Sequence, residues 1–436
     1  MRASALKYKV LSGVSVIVML IIFLMPFHAF LTVWASDTFG HYTALRLWKE
    51  VLLVVAGIGV LFLALTDKKI RSQTLGRRLV WLILFYVLVN LIWAAISFYN
   101  DSVSAKAIGY GLIVNLRFLI FFLLCWALVL RLSRLRSNWQ WLLLWPAAIV
   151  VVFGLLQAFV LPRDFLTFFG YSIQTIEPFE TINNDNGFIR IASTLRGPNP
   201  LGAYLLIPLS MLAILILKGQ QNRRQLALFF GSLVVLFFTF SRSAWIGAAL
   251  ALAVIILVKY PRIFAKRSFV LISCGALALA VFTVVLFQDN TRFQNLIWHT
   301  NDKSTVQTSS NGVRADALTD GAKDLISEPL GEGPGSAGPA SVYNDNKPRI
   351  AENYYMQIAQ ETGWIGLISF LTINAGVGYL LWLRRADTLA LGLLASLIGI
   401  TFINLLSHAW ADDTIAYIWW GLAGIAMIRS KQSDES

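Results

Sequence analysis

"RIAENYYMQIAQETGWIG", residues 349–366, is the point where a long polar passage turns into membrane-type sequence. The passage begins near Gln288, is rich in Asn, Asp, Gly, Ser and Pro, and separates two apolar runs. Within the quoted stretch Asn353, Gln357, Gln360 and Glu361 recur at helical spacing on one face, with Glu352 at its edge. A polar stripe at the mouth of a membrane helix is costly unless it faces protein, water or substrate. These amides and carboxylates suit sugar hydroxyls, and Glu352 is placed to act as a general base. The plain alternative is an interfacial turn whose polar groups only cap a helix and bind water.

The flanks set the class. Of 436 residues, 57% are hydrophobic and 14% charged, whereas soluble domains carry roughly a quarter charged residues. Apolar runs recur from end to end at lengths near the roughly 20 residues that a helix needs to cross a bilayer. We expect an all-α polytopic membrane protein, one integral domain over 1–436. Its spans, about twelve, are expected near 10–33, 44–65, 79–98, 107–130, 139–160, 198–217, 225–240, 243–258, 268–287, 363–382, 388–406 and 413–428. The first run, Val10 to Val33, is longer than the ~7–15-residue core of a signal peptide and is read as a span.

Alternate connections carry the basic residues: Lys68, Lys69, Arg71, Arg77 and Arg78; Arg131, Arg134 and Arg136; Lys218, Arg223 and Arg224; Lys259, Arg262, Lys266 and Arg267; Arg384 and Arg385. The positive-inside rule makes that side, and both termini, cytoplasmic. The net charge of +13 is therefore a topology signal and not a sign of nucleic-acid binding. The irregular sequence collects on the other side, in two long loops at 161–197 and 288–350. Loops of that length are usually functional or disordered. Cys125 and Cys274 lie inside apolar runs and read as small buried hydrophobes.

The outer side also holds arginines. Arg190 and Arg196 lie in "GFIRIASTLRGPNPLGAYLL", Arg242 in the "TFSRSAWIG" turn and Arg314 in "SSNGVRADALTDGAKDLISEPLGEGPG". Guanidinium groups bind phosphate bidentately and keep their charge where water is scarce, so a converging set suits a diphosphate. The competing reading of each is snorkelling to headgroups or pairing with a nearby acid. Arg117 falls inside the fourth span, where an ionisable group is costly; pairing with Glu50 and contact with substrate are both open.

Val313, Ala317, Leu318, Ala322 and Leu325 predict a short amphipathic helix carrying Arg314. The "EPLGEGPGSAG" run after it offers backbone N–H groups to an anion, or is a flexible turn. No His/Cys/Asp/Glu set has metal-ligand spacing, and neither GxSxG nor a P-loop is present. His408 with Asp412 and Asp413 reads as a helix cap.

The segments "RIASTLRGPNPLGAYL", "SRSAWIG", the Arg314 stretch running into "EPLGEGPG" and "ENYYMQIAQETGWIG", over roughly 188–380, together resemble the O-antigen ligase and O-antigen polymerase superfamily of bacterial membrane glycosyltransferases. The resemblance implies an inverting, metal- and cofactor-independent transfer on the outer face of the plasma membrane. Its donor is a glycan on undecaprenyl diphosphate, and its acceptor a hydroxyl on a lipid- or glycan-linked molecule or on a protein. It implies Arg190, Arg314 and, less directly, Arg242 as diphosphate ligands. Many members carry His-Asn where this chain has Glu352-Asn353, the His being taken as the base. Ligase, polymerase and protein O-glycosylating ligase differ only in acceptor. A transporter or flippase of an anionic lipid is the reading from another class, and Arg117 is the feature that supports it.

Overall fold

The computed structural model describes residues 2–182, 185–264, 310–344, 348–350 and 352–428, with scattered positions between 282 and 293. It is an all-α bundle whose helices run α1 (Arg2–Leu24), α2 (His28–Phe39), α3 (Trp48–Thr66), α4 (Arg78–Tyr99), α5 (Ala105–Val129) and α6 (Trp139–Phe159). After a two-stranded antiparallel hairpin, β1 (Glu180–Ile182) and β2 (Asp185–Arg190), come α7 (Pro198–Leu217), α8 (Arg223–Phe238) and α9 (Arg242–Lys259). Beyond them lie α10 (Ser310–Ser327), α11 (Tyr354–Trp382), α12 (Thr388–Asn404) and α13 (Asp413–Ala426).

Every expected span except the ninth coincides with a helix; the ninth, 268–287, falls almost wholly outside the described residues. Among the described residues, eight helical stretches are long and apolar enough to cross a membrane, α1 and α2 forming one. The helices at the seventh, eleventh and twelfth positions, α8, α12 and α13, are shorter, at 16, 17 and 14 residues.

Burial divides the bundle into an inner and an outer set. Helices α5, α7, α12 and α13 are buried around most of their circumference, and Trp410, Trp419 and Trp420 pack with Phe118 and Phe122 at the centre. Helices α3 and α4 lie outside. Val51, Val54, Ile58, Leu61 and Leu65 recur three or four residues apart and are exposed, as are Trp81, Leu84, Leu88, Leu91 and Ile96. A helix that is apolar on its outward face as well as its inward one has lipid for solvent.

Connections alternate between the two ends of the bundle. At one end Arg131 donates to Asp67 at 2.6 and 2.8 Å, Arg136 pairs with Asp387, and Lys218 donates to the Thr388 hydroxyl at 2.8 Å. These are the basic connections. The hairpin, the α10 region and the 405–412 turn gather at the other end.

Helix α11 contains a break. Gly363 has φ +61° and ψ −163°, in the region open to glycine, so the helix is two segments joined at this residue. A Cβ here would lie 2.3 Å from the Pro329 carbonyl oxygen. The break falls where the expected tenth span begins.

Candidate functional site

The polar run before α11 is used in two ways. Asn353 caps the helix, its side chain accepting from Met356 N at 3.0 Å, and it donates to the Leu405 carbonyl at 3.0 Å. That second bond ties the start of α11 to the turn between α12 and α13. Gln360 donates to Asp324 of α10 at 2.8 Å. Glu361, fully buried, accepts from Gly335 N at 3.0 Å and from Asn115 Nδ2 at 2.6 Å; Asn115 in turn reaches Asn90 at 3.2 Å. Gln357 is buried against Gly338. The stripe expected to meet sugar hydroxyls thus faces largely into the protein.

The glycine run 328–338 is neither a free anion nest nor a slack turn. Gly331, Gly333, Gly335 and Gly338 all hold positive φ. Gly333 N donates to the Glu361 carbonyl at 2.7 Å, and the Ser97 hydroxyl of α4 donates to the Glu332 carbonyl at 2.6 Å. A Cβ on Gly335 would stand 2.2 Å from the Ala107 carbonyl oxygen of α5. The anion that this nest receives is the chain's own Glu361.

Next to it Arg349 joins three acids: Asp324 at 2.7 Å, Glu328 at 3.1 Å and Glu332 at 2.5 Å. Burial alone would lower the guanidinium pKa, but these carboxylates raise it above its ordinary value. Asp324 is lowered overall, since the bonds from Arg349 and Gln360 outweigh the opposing effect of burial. This clamp holds the C-terminal end of α10 to the glycine run.

Arg117 lies among charges inside the bundle. Its guanidinium pairs with Asp413, stands 3.7 Å from Glu50 and donates to the Ala411 carbonyl at 2.6 Å. Lys49 reaches both Asp413 and Glu50 at 3.0 Å, and His28 Nε2 lies 3.3 Å from Asp413. Trp48 donates to His28 Nδ1 at 2.9 Å, which assigns the ring proton to Nε2 and toward the carboxylate. Of the two readings of Arg117, the geometry displays the pairing.

The arginines expected to grip a diphosphate differ in what they touch. Arg190 Nε donates to the Thr239 carbonyl at 2.9 Å, and its terminal nitrogens to Glu180 at 3.1 Å and Asn199 at 2.7 Å. It ties the hairpin to the corner between α8 and α9 and to the start of α7. Arg242 opens α9 at that same corner. Arg196 is 58% exposed, with Asp412 3.8 Å away. Arg314 belongs to α10, as the periodicity predicts, and its side chain lies outside the described residues.

Arg196 and Asp412 border two cavities. The larger, about 340 Å³, is lined by Glu180, Asn199, Pro339, Ser407 and His408 as well. The smaller, about 50 Å³, is lined also by Tyr42, Arg46 and Asp413. Arg46 had no role in the sequence reading, and His408 was read there only as part of a helix cap. Asp412 does cap α13, accepting from Thr414 N at 3.0 Å, but His408 takes no part in that cap and faces the larger cavity. Burial pushes the His408 pKa down to about 4, against the charge of Glu352, which raises it. Glu352 has φ +48°, a left-handed conformation that a non-glycine residue holds only when its surroundings impose it. Burial likewise pushes Asp412 above the usual carboxylate range, with Arg196 acting the other way.

The fold and site together define a polytopic helical membrane protein with a cavity of arginine, amide, imidazole and carboxylate groups at one end of its bundle. Residues 226–371 match the family model described as O-antigen ligase. An "O-antigen polymerase" of Salmonella muenchen is 25% identical over 211 residues, which is 47% of this chain and 51% of that protein. The chain thus spans about half the length of this curated relative. Both findings support a likeness of this chain to the O-antigen ligase and polymerase superfamily. The family-matched segment contains Arg242, Arg314, Glu352, Asn353 and Gln357; Arg46, Arg117, Arg190, Arg196 and His408 lie outside it.

Proposed function

We propose that the chain is a ligase-type membrane glycosyltransferase that moves a glycan from undecaprenyl diphosphate to an acceptor hydroxyl on the outer face of the plasma membrane. The observation that carries this reading is the larger cavity. It opens at the end of the bundle opposite the basic connections and puts Arg196 beside amide, imidazole and carboxylate groups. Arg196, with Arg46 across the smaller cavity, takes the diphosphate, and Arg190 fixes the wall behind it. Arg314, on α10, and Arg242, which opens α9, are the further diphosphate ligands in this reading.

A diphosphate leaves with its charge already delocalised, so arginines that neutralise that charge as it develops supply the electrostatic part of catalysis without a metal. Attack on the face opposite the leaving group inverts the anomeric centre. Glu352 is the carboxylate on which deprotonation of the acceptor depends. The exposed apolar faces of the outer helices give the polyprenyl chain a place to lie.

A polymerase that joins two lipid-linked units is the second reading, favoured by the name of the Salmonella relative. Deleting the gene separates the two: lipid-linked polymer accumulates if the chain is a ligase, single lipid-linked repeat units if it is a polymerase. In proteoliposomes holding lipid-linked glycan and acceptor, the wild-type protein is expected to release free undecaprenyl diphosphate, and R196A and R314A to release little. Movement of intact donor across the bilayer with no release identifies a transporter and ends the glycosyltransferase reading.

A further inference from the structure

The larger cavity contains an imidazole that the transfer as described leaves unused. His408 Nε2 is buried and has no hydrogen-bond partner in the protein, although the ring borders a cavity that also holds Glu180, Arg196, Asn199, Ser407 and Asp412 among apolar residues. Buried polar atoms are nearly always bonded, so an orphan on a ring that borders a cavity calls for an explanation, and a partner that comes and goes supplies one. The turn that carries it is tied at three points. Asn353 donates to Leu405 O at 3.0 Å, Asn404 accepts from Trp410 N at 3.1 Å, and Arg117 donates to Ala411 O at 2.6 Å. Two charges act on the ring: Glu352, from the start of α11, and Arg196, from the approach to α7. Across the cavity lie the carboxylates of Glu180 and Asp412.

We infer that His408 is the group that takes the proton from the acceptor hydroxyl, with Glu352 as the positioning carboxylate that stabilises the imidazolium. This rests on the glycosyl transfer proposed above and names its base. As the acceptor oxygen forms its bond to the anomeric carbon, its proton passes to His408 Nε2. The bond from that carbon to the diphosphate oxygen breaks, and its electron pair leaves with undecaprenyl diphosphate beside Arg196. The imidazolium then loses its proton to water.

The charge balance around the ring makes the base responsive to donor. In the free protein burial and Arg196 both disfavour the imidazolium. A bound diphosphate cancels the field of Arg196 and adds negative charge of its own, so the ring becomes more basic once the donor is in place.

The test uses the full chain in proteoliposomes, with lipid-linked oligosaccharide extracted from a strain lacking the gene and membranes of that strain as the acceptor source. Wild-type transfer is the control; its absence overturns the glycosyltransferase reading, and this inference falls with it. With transfer established, H408Q is expected to lose about 100-fold or more in kcat, the usual share of a general base, with donor KM unchanged. H408A is expected to recover activity on adding imidazole, which a structural role would not allow. The acid limb of kcat/KM, which reports the free protein, is expected near pH 4, and that of kcat at higher pH. E352Q should keep an acid limb displaced to lower pH. An H408Q protein that transfers at the wild-type rate overturns the inference, as does an H408A defect that imidazole leaves untouched.

Discussion

Asp413 is where the cost of putting charge inside a bundle is concentrated. Arg117, Lys49 and His28 all reach its carboxylate, so neutralising it strands two buried cations with only Glu50 between them. Removing one partner of a buried pair typically costs about 3–5 kcal/mol. D413N is therefore expected to destabilise the protein by about that amount, read as a lowered melting temperature in detergent. Gly363 is exacting in another way: a side chain there must adopt φ +61° and displace the Pro329 carbonyl. G363A is expected to cost about 1–3 kcal/mol for the backbone strain alone, and the Arg349 clamp next to it should loosen in hydrogen exchange. In the sequence Arg117 was visible as an anomaly, because a charge inside an apolar run stands out by itself. His408 and Arg46 were not. A single imidazole next to two aspartates reads as part of a cap, and only the approach of distant segments shows that its Nε2 is unpartnered.

Helices and their limits are the level at which the sequence was most legible. Helix periodicity and apolar length are local, and α3 to α9 lie within a few residues of the runs that announced them. The break at Gly363 was not foreseen as a break, although the tenth run was expected to begin there. The partners of the glycine run were not legible, since that run meets α4, α5 and α11, far apart in the chain. The clamp beside it is pH-sensitive with a definite sign. Asp324 has a folded pKa below its ordinary value, so its contribution is complete above the usual Asp pKa of about 3.9 and is lost as the pH falls through the folded value. Glu332, raised by burial despite Arg349, titrates with the opposite sign. Amides at the C-terminal end of α10 are expected to be protected from exchange at neutral pH and to lose protection in acid. D324N should weaken protection at neutral pH and flatten the acid-side loss.

At the scale of the whole molecule, the charge asymmetry and the site agree on geometry. The connections that carry the lysines and arginines meet at one end, through contacts such as Arg131 with Asp67 and Lys218 with Thr388. The cavities, hairpin and glycine run lie at the other. The positive-inside rule predicts that the cavity end is external, and labelling can check it. In a cysteine-free background, K323C on α10 is expected to react with an impermeant maleimide on intact cells, and Q220C between α7 and α8 only after permeabilisation. The reverse pattern would invert the topology and remove the proposed chemistry from the outer face.

The frame around Glu361 has a bearing on how such a protein can diversify. Its carboxylate is received by the peptide N–H of Gly335 and the amide of Asn115, and neighbouring turns of the run are bonded through their main chain. Peptide groups are the same whatever side chain they carry. Of the residues between these glycines, Pro334 and Ser336 are buried and Glu332 pairs with Arg349, so the run is held by its side chains as well as by its peptide groups. Such a loop has little room to drift: change is tolerated at its exposed flanks, and a substitution inside the run disturbs the packing of α4, α5 and α11 beneath it.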